Sequence, residues 1–414
     1  MACPAKRWFF RCFTVSEMSN CDNSAPFDVD SWAAIASAVI LGTLGVLSFI
    51  IQPALVQGFV SHLGLTEPEA LNLAGIEMLG VAAATIALAL PGLSIDWRKL
   101  LMVALLIAAL GNLLSALLVN SSSIWAARLI AGIGHGAIIS LSFSFVGLTR
   151  KVDRNLAIYL TVLLTYGAIG IWLLPSFLDS AGFAGLFGGF SALLLVGLLT
   201  VNKVPRSVNE RIAAPETARD LPRALLVTAL AGVLSYNLAQ GIAWAVLFLI
   251  GIGAGLGEQS VTGALFLSQV LAIGGALGSV FLAGLISRRA AIIFGILGGA
   301  ACIALLIGKP SAIVFLLAVC GFNILWNFVL PFVLAAVGEM RTNGRMVGSA
   351  IAMQMLGLGL GPFLAAMLTD GSSYRLVELV CIGFFIASLA LLMLPLHRHL
   401  IMLHGTSLEK HRAA

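Results

Sequence analysis

Two ionisable side chains stand deep in otherwise apolar stretches of this sequence, Glu77 and Arg128. A carboxylate or a guanidinium in hydrocarbon is costly unless it is paired or hydrated, so such residues mark proton, ion or solute pathways by default. Counted along their apolar runs, both lie toward the same end, and pairing would offset the desolvation of each. His135 follows Arg128 by seven residues, nearly two helical turns, so both project from one face. An imidazole at that depth can pass on a proton. A carboxylate whose surroundings change between two conformers can take up and release one. Glu77, Arg128 and His135 are therefore candidates for proton coupling. The alternatives are a purely structural ion pair beside a hydrogen-bonded neutral histidine, or direct contact of Arg128 and His135 with a solute.

A second set of residues is polar but uncharged. Gln52 stands beside Pro53. Asn237, Gln240 and Trp244 fall at i, i+3 and i+7, and Asn323, Trp326 and Asn327 at i, i+3 and i+4. Each set is a single stripe of amide and indole on a helix. Gln354 stands alone, as do Tyr166 and Gln269. Amide and indole together suit a solute with one polar end and a flat or apolar body. The competing reading is interhelical hydrogen bonding, worth roughly 0.6–2 kcal/mol per contact. The candidate solute-binding set is Gln52, Arg128, His135, Asn237, Gln240, Trp244, Asn323, Trp326, Asn327 and Gln354.

The elements that must position these side chains are membrane helices. Of 414 residues, 60% are apolar and 10% charged, against roughly 45–50% and 25% in soluble domains. Mean hydropathy is +1.06. So few charges cannot cover a water-soluble surface, which excludes a soluble enzyme, a nucleic-acid binder and a disordered scaffold. Twelve apolar runs are long enough for a bilayer core of about 30 Å: 33–60, 70–92, 99–119, 124–149, 156–178, 183–202, 224–252, 262–285, 290–308, 312–338, 345–369 and 375–396. The segment from Asn202 to Arg223, rich in charge and proline, divides them six and six.

The expected organisation is a cytoplasmic tail over 1–31, a six-helix bundle over 32–201, a cytoplasmic linker over 202–223, a second six-helix bundle over 224–397 and a cytoplasmic tail over 398–414. With both termini inside, every Lys and Arg except Arg128, Lys309 and Arg375 is cytoplasmic, as the positive-inside rule requires. The acidic residues Glu67, Glu69, Asp179, Glu258 and Asp370 then lie outside, and Glu378 is expected at the outer interface. The six cysteines form no CxxC pair and read as ordinary apolar thiols. No signal peptide is expected before the first span, since no apolar stretch of its kind follows Lys6, Arg7 and Arg11.

Local patterns accompany this 6+6 plan. The loop Pro91-Gly92-Leu93-Ser94-Ile95-Asp96-Trp97-Arg98-Lys99 has a glycine, an acid and paired bases, and Gly284 to Arg289 repeats the glycine and bases. Arg128-Leu-Ile-Ala-Gly132-Ile-Gly134-His135-Gly136 has the form R-x-x-x-G-x-G-x-G. Run 11 carries Gly348, Gln354, Gly361 and Pro362. On these features the chain resembles the major facilitator superfamily from about residue 33 to 397. The loop lacks that family's glycine after the first arginine. Gly167, Gly170 and Pro175 do not have the spacing of its drug/proton antiporters.

The resemblance implies an all-α integral membrane protein of twelve transmembrane helices in two six-helix bundles. Runs 1, 4, 7 and 10 would line a central cavity, and Gly92, Asp96, Arg98, Arg288 and Arg289 would gate the cytoplasmic face. It implies alternating access by rocking of the halves. The expected function is secondary active transport of a small organic solute by proton-coupled symport, inward, with Arg128 favouring an anion. The alternative is a proton-coupled antiporter exporting drugs or metabolites. A non-transporting sensor would need a soluble output domain. An intramembrane enzyme would need nucleophiles or metal ligands, and no H-E-x-x-H or G-x-S-x-G appears in the spans. No Walker A motif is present to take ATP. No cofactor or metal is expected beyond the proton. The expected partners are the solute and the bilayer, with no nucleic acid, and the expected state is a functional monomer. The expected location is the cell membrane, multi-pass, which in a Gram-negative cell is the inner membrane.

Overall fold

The computed structural model describes residues 28–89, 96–206, 221–283, 285–340, 345–369 and 373–413. Gly92, most of the N-terminal tail and most of the linker lie outside them. Nine of the described helices are long and apolar enough to cross a membrane, and the chain is a multi-pass membrane protein. Backbone amides and carbonyls have no water to bond in a bilayer core, so helices that satisfy them internally are the solution the sequence must reach.

The first apolar run does not form one helix. It gives α1 (Trp32–Gly45) and α2 (Gln52–Leu63), separated by turns over 46–51. Pro53, at the start of α2, supplies the reason: it has no N–H to offer the carbonyl of Phe49 and favours the first turn of a new helix. Then come α3 (Glu67–Ala89), α4 (Trp97–Leu117) and α5 (Ile124–Gly147). Runs 5 and 6 continue through α6 (Val152–Gly197), two helices joined at Gly182, whose φ of 62° only glycine adopts freely. A short 3-10 turn, Leu198–Lys203, leads into the linker.

The second half contains α7 (Arg223–Gly253), α8 (Glu258–Leu282), α9 (Arg288–Ala304), α10 (Ala312–Gly338), α11 (Arg345–Leu368) and α12 (Arg375–Ala413). Several helices start on a side-chain cap. Ser31, Ser287 and Ser311 each accept a backbone N–H of the first turn, and Asp96 accepts those of Arg98 and Lys99.

Glycines set the close packing that positions the polar residues. A side chain at Gly132 would meet the Glu77 carbonyl oxygen at 2.0 Å, and one at Gly136 the Val81 carbonyl oxygen at 2.4 Å. Gly134, on the other face of α5, lies as close to α4, 2.4 Å from the Ala108 nitrogen. The alternating glycines after Arg128 thus press α5 against α3 and α4 at once. In α11, Gly361 meets α7 at Gly241 and Gly359 meets α3 at Met78. Among the described residues the halves join mainly where α3 meets α11, α6 meets α8 and α2 meets α7.

Candidate functional site

Arg128 is fully buried in α5 and is the centre of a polar cluster inside the first half. It pairs with the Glu77 carboxylate from α3. Its Nη2 also donates to Ser48 Oγ at 2.9 Å. Its Nη1 donates to Asn112 Oδ1 at 3.0 Å and Ser115 Oγ at 3.4 Å, both on α4. The Phe187 ring covers the guanidinium, 4.4 Å from its centroid. A buried ion pair is tolerable when further hydrogen bonds answer its donors, and here both Nη atoms of Arg128 have neutral acceptors besides Glu77.

His135 belongs to the same cluster through Asn112. With Oδ1 of Asn112 occupied by Arg128, its Nδ2 faces His135 Nε2 at 3.1 Å. The imidazole Nε2 therefore accepts, and Nδ1 donates to the Leu44 carbonyl at 3.0 Å. This arrangement holds a neutral imidazole. Nε2 is also 4.0 Å from Glu77 Oε1. Asn112, Ser48 and Ser115 were not among the sequence candidates. Asn112 carries a signal comparable to the chosen amides, an asparagine in the middle of an apolar run.

A separate cavity of about 90 Å³ lies between the halves. Of the amide and indole candidates, Trp244, Asn323, Trp326, Asn327 and Gln354 line it, together with Gln269. The other expected solute-binding residues do not. Arg128 and His135 are sealed behind the wall formed by the first half. Asn237 packs under Gly357 of α11, its Nδ2 on the Val233 carbonyl. Gln240 donates to Tyr236 Oη at 2.7 Å. Gln52 is buried at the start of α2 with neither amide atom bonded. In the α7 stripe only Trp244 reaches the cavity.

The turns over 46–51 join cluster and cavity. Ser48 binds Arg128, while Val46, Phe49 and Ile50 line the cavity. The carbonyls released by the helix break are taken by side chains. Tyr166 Oη donates to Leu47 at 2.8 Å. From the second half, Trp244 Nε1 donates to Phe49 at 3.0 Å and Gln269 Nε2 to Ile50 at 3.2 Å. Edge-on contacts of Trp326 with Phe49 and Trp244 complete a lid, with centroids 6.4 and 5.9 Å apart. Farther out, at the end away from the linker, Tyr374 Oη donates to Glu67 Oε1 across the halves at 2.6 Å. Burial, and then that bond, raises the Tyr374 pKa, so the phenol remains a donor. Glu378, expected at the interface, is instead 2% exposed, with Oε2 unpartnered.

At the linker end the described contacts of Arg288 and Arg289 stay within the second half. Arg98 Nε reaches the Val204 carbonyl at 2.6 Å. Arg288 pairs with Glu339, whose hydrogen bond raises the guanidinium pKa. Arg289 Nη2 lies 3.0 Å from His397 Nδ1. The described contacts close the cavity on the side away from the linker, where Trp244, Gln269 and Tyr374 reach the first half.

The chain has the fold of the major facilitator superfamily. It is similar to the crystal structure of a D-xylose–proton symporter, with 16% identity and a TM-score of 0.67 over 86% of this chain and 96% of that one. It is also similar to the xylose transporter XylE from E. coli in a partially occluded inward-open conformation, with 15% identity and a TM-score of 0.64 over the same shares. No family model and no curated protein matches the sequence.

Proposed function

We propose that the chain is a secondary active transporter that moves a small organic solute by alternating access, coupled to protons as a symporter in the inward direction. The observation that carries this reading is the segment 46–51, which touches the buried ion pair through Ser48 and the opposite half through the Phe49 and Ile50 carbonyls. A proton added to Glu77 removes the counter-charge of Arg128. The guanidinium must then recruit its neutral neighbours, Ser48 among them, and the Leu44 bond to His135 shares the same end of α1. Movement of this segment withdraws the acceptors from Trp244 and Gln269 and loosens the closed end. With both termini cytoplasmic, the closed end is the outer one and the structure is inward-facing. Asp96, Arg98, Arg288 and Arg289 act as half-specific anchors that exchange partners when the inner end closes.

Purified protein in liposomes with a trapped pH dye tests this reading. An inward solute gradient should acidify the lumen, and Glu77→Gln should abolish acidification while solute counterflow persists. Alkalinisation would establish antiport and export in place of symport. Solute flux with no proton movement in the wild type would remove Glu77, Arg128 and His135 from the coupling role.

A further inference from the structure

The two walls of the cavity differ in chemistry. The wall from the first half is apolar throughout, with Phe49, Met78, Ile139, Phe143 and the leucines of α6. Every amide and both indoles come from the second half. Among the described residues no ionisable side chain lines the cavity. Glu77 and Arg128, the nearest buried charges described, are committed to each other.

The amides have fixed orientations. Gln269 donates its Nε2 to the Ile50 carbonyl, and Asn323 its Nδ2 to Ser268 Oγ, whose own proton goes to the Leu265 carbonyl. Asn327 donates its Nδ2 to the Asn323 carbonyl. All three therefore present carbonyl oxygens that have no partner among the described residues. Gln269 Oε1 is fully buried and unpaired, a state that a bound donor would relieve. Gln354, nine-tenths buried, makes no hydrogen bond among the described residues and can also supply a donor.

We infer that the cavity takes a neutral solute with a flat apolar body and an N–H-rich amide-like edge, oriented with that edge on the α8, α10 and α11 amides and its body on the first half. An anion meets carbonyl oxygens and no cation. A cation meets acceptors and aromatic faces but no carboxylate, so neither ion is compensated for its lost hydration. A polyol carries hydroxyls around its whole rim, and those facing the first half have nothing to bond. This solute class deepens the transporter reading and rests on it only for the use made of the site.

The test uses the full chain in lipid nanodiscs and three near-isosteric probes, benzamide, benzamidinium and benzoate, with oxindole as a larger neutral amide and D-xylose as the polyol. Quenching of tryptophan fluorescence reports binding beside Trp244 and Trp326. A neutral amide should bind at least about tenfold more tightly than either ion or D-xylose, and Gln354→Leu should weaken it by a further factor of about ten, a typical loss for one hydrogen bond in a dry site. Tighter binding of benzamidinium, benzoate or D-xylose overturns the inference, as does no binding by either neutral amide. Proteoliposome flux separates the two readings. Neutral amides that bind but never cross remove the transporter reading and keep the site. Proton-coupled flux of D-xylose or of an ion does the reverse.

Discussion

The first half buries an ion pair inside its own bundle, and the second turns four amides toward the partner. Glu77, Arg128, His135, Asn112 and Ser48 bond one another where α3, α4 and α5 meet the turns after α1. Asn323, Asn327, Gln269 and Gln354 instead keep unpaired groups at the cavity. A buried charge is costly unless paired, so Glu77 and Arg128 are walled in together. Amides can be left partly open at lower cost, so they face the space a solute must enter. The difference separates the proposed proton site from the proposed solute site by apolar side chains and makes the broken first span the physical link between them.

Substitutions that break this division should rank by how much charge they expose. Arg128→Ala leaves the Glu77 carboxylate buried without its partner and should cost about 3–5 kcal/mol, read as loss of monodisperse folded protein after extraction. Arg128→Ala with Glu77→Gln should recover part of that yield, since the uncompensated charge is gone. No single amide-to-leucine change in the cavity should have a comparable effect on folding. Trp326→Ala should preserve the fold and weaken solute binding about tenfold, ~1.4 kcal/mol, in an equilibrium titration. An unchanged affinity would take the lid aromatics out of the solute site.

Trp244→Phe keeps a ring but removes the donor to the Phe49 carbonyl. The loss of about 0.5–1.5 kcal/mol falls on the closed state, so a cysteine placed at the outer end should label about two- to tenfold faster. Tyr374→Phe removes the bond to Glu67 and should shift labelling in the same direction by less, because Tyr374 is only partly buried and water can replace the hydroxyl. Equal labelling rates in both variants and in the wild type would show that these contacts do not hold the end closed.

Much of the helical plan was readable from apolar run length alone, because a bilayer leaves the backbone few other solutions. The pairing of Glu77 with Arg128 was readable from their matching depth. The glycines after Arg128 reveal their purpose only in three dimensions, where alternate ones face α3 and α4. The break at 46–51 was hidden because Val46, Leu47, Phe49, Ile50 and Ile51 are as apolar as any spanning segment, and Pro53 was read only as the neighbour of Gln52. The amide stripes misled in part for a related reason. Helical spacing shows which residues share a face but not what that face meets. The face of Asn237 and Gln240 meets α11 and Tyr236, whereas that of Asn323 and Asn327 meets the cavity.

The central claim is that a proton held in one half is linked to a solute held mainly by the other. The measurement that tests it most directly is the pH dependence of solute affinity in wild type and Glu77→Gln, by equilibrium binding to the purified protein in nanodiscs. Linkage predicts an affinity that changes with pH in the wild type and is flat in Glu77→Gln at the same folded yield. The same pH slope in both proteins would contradict the account and place the coupled proton elsewhere.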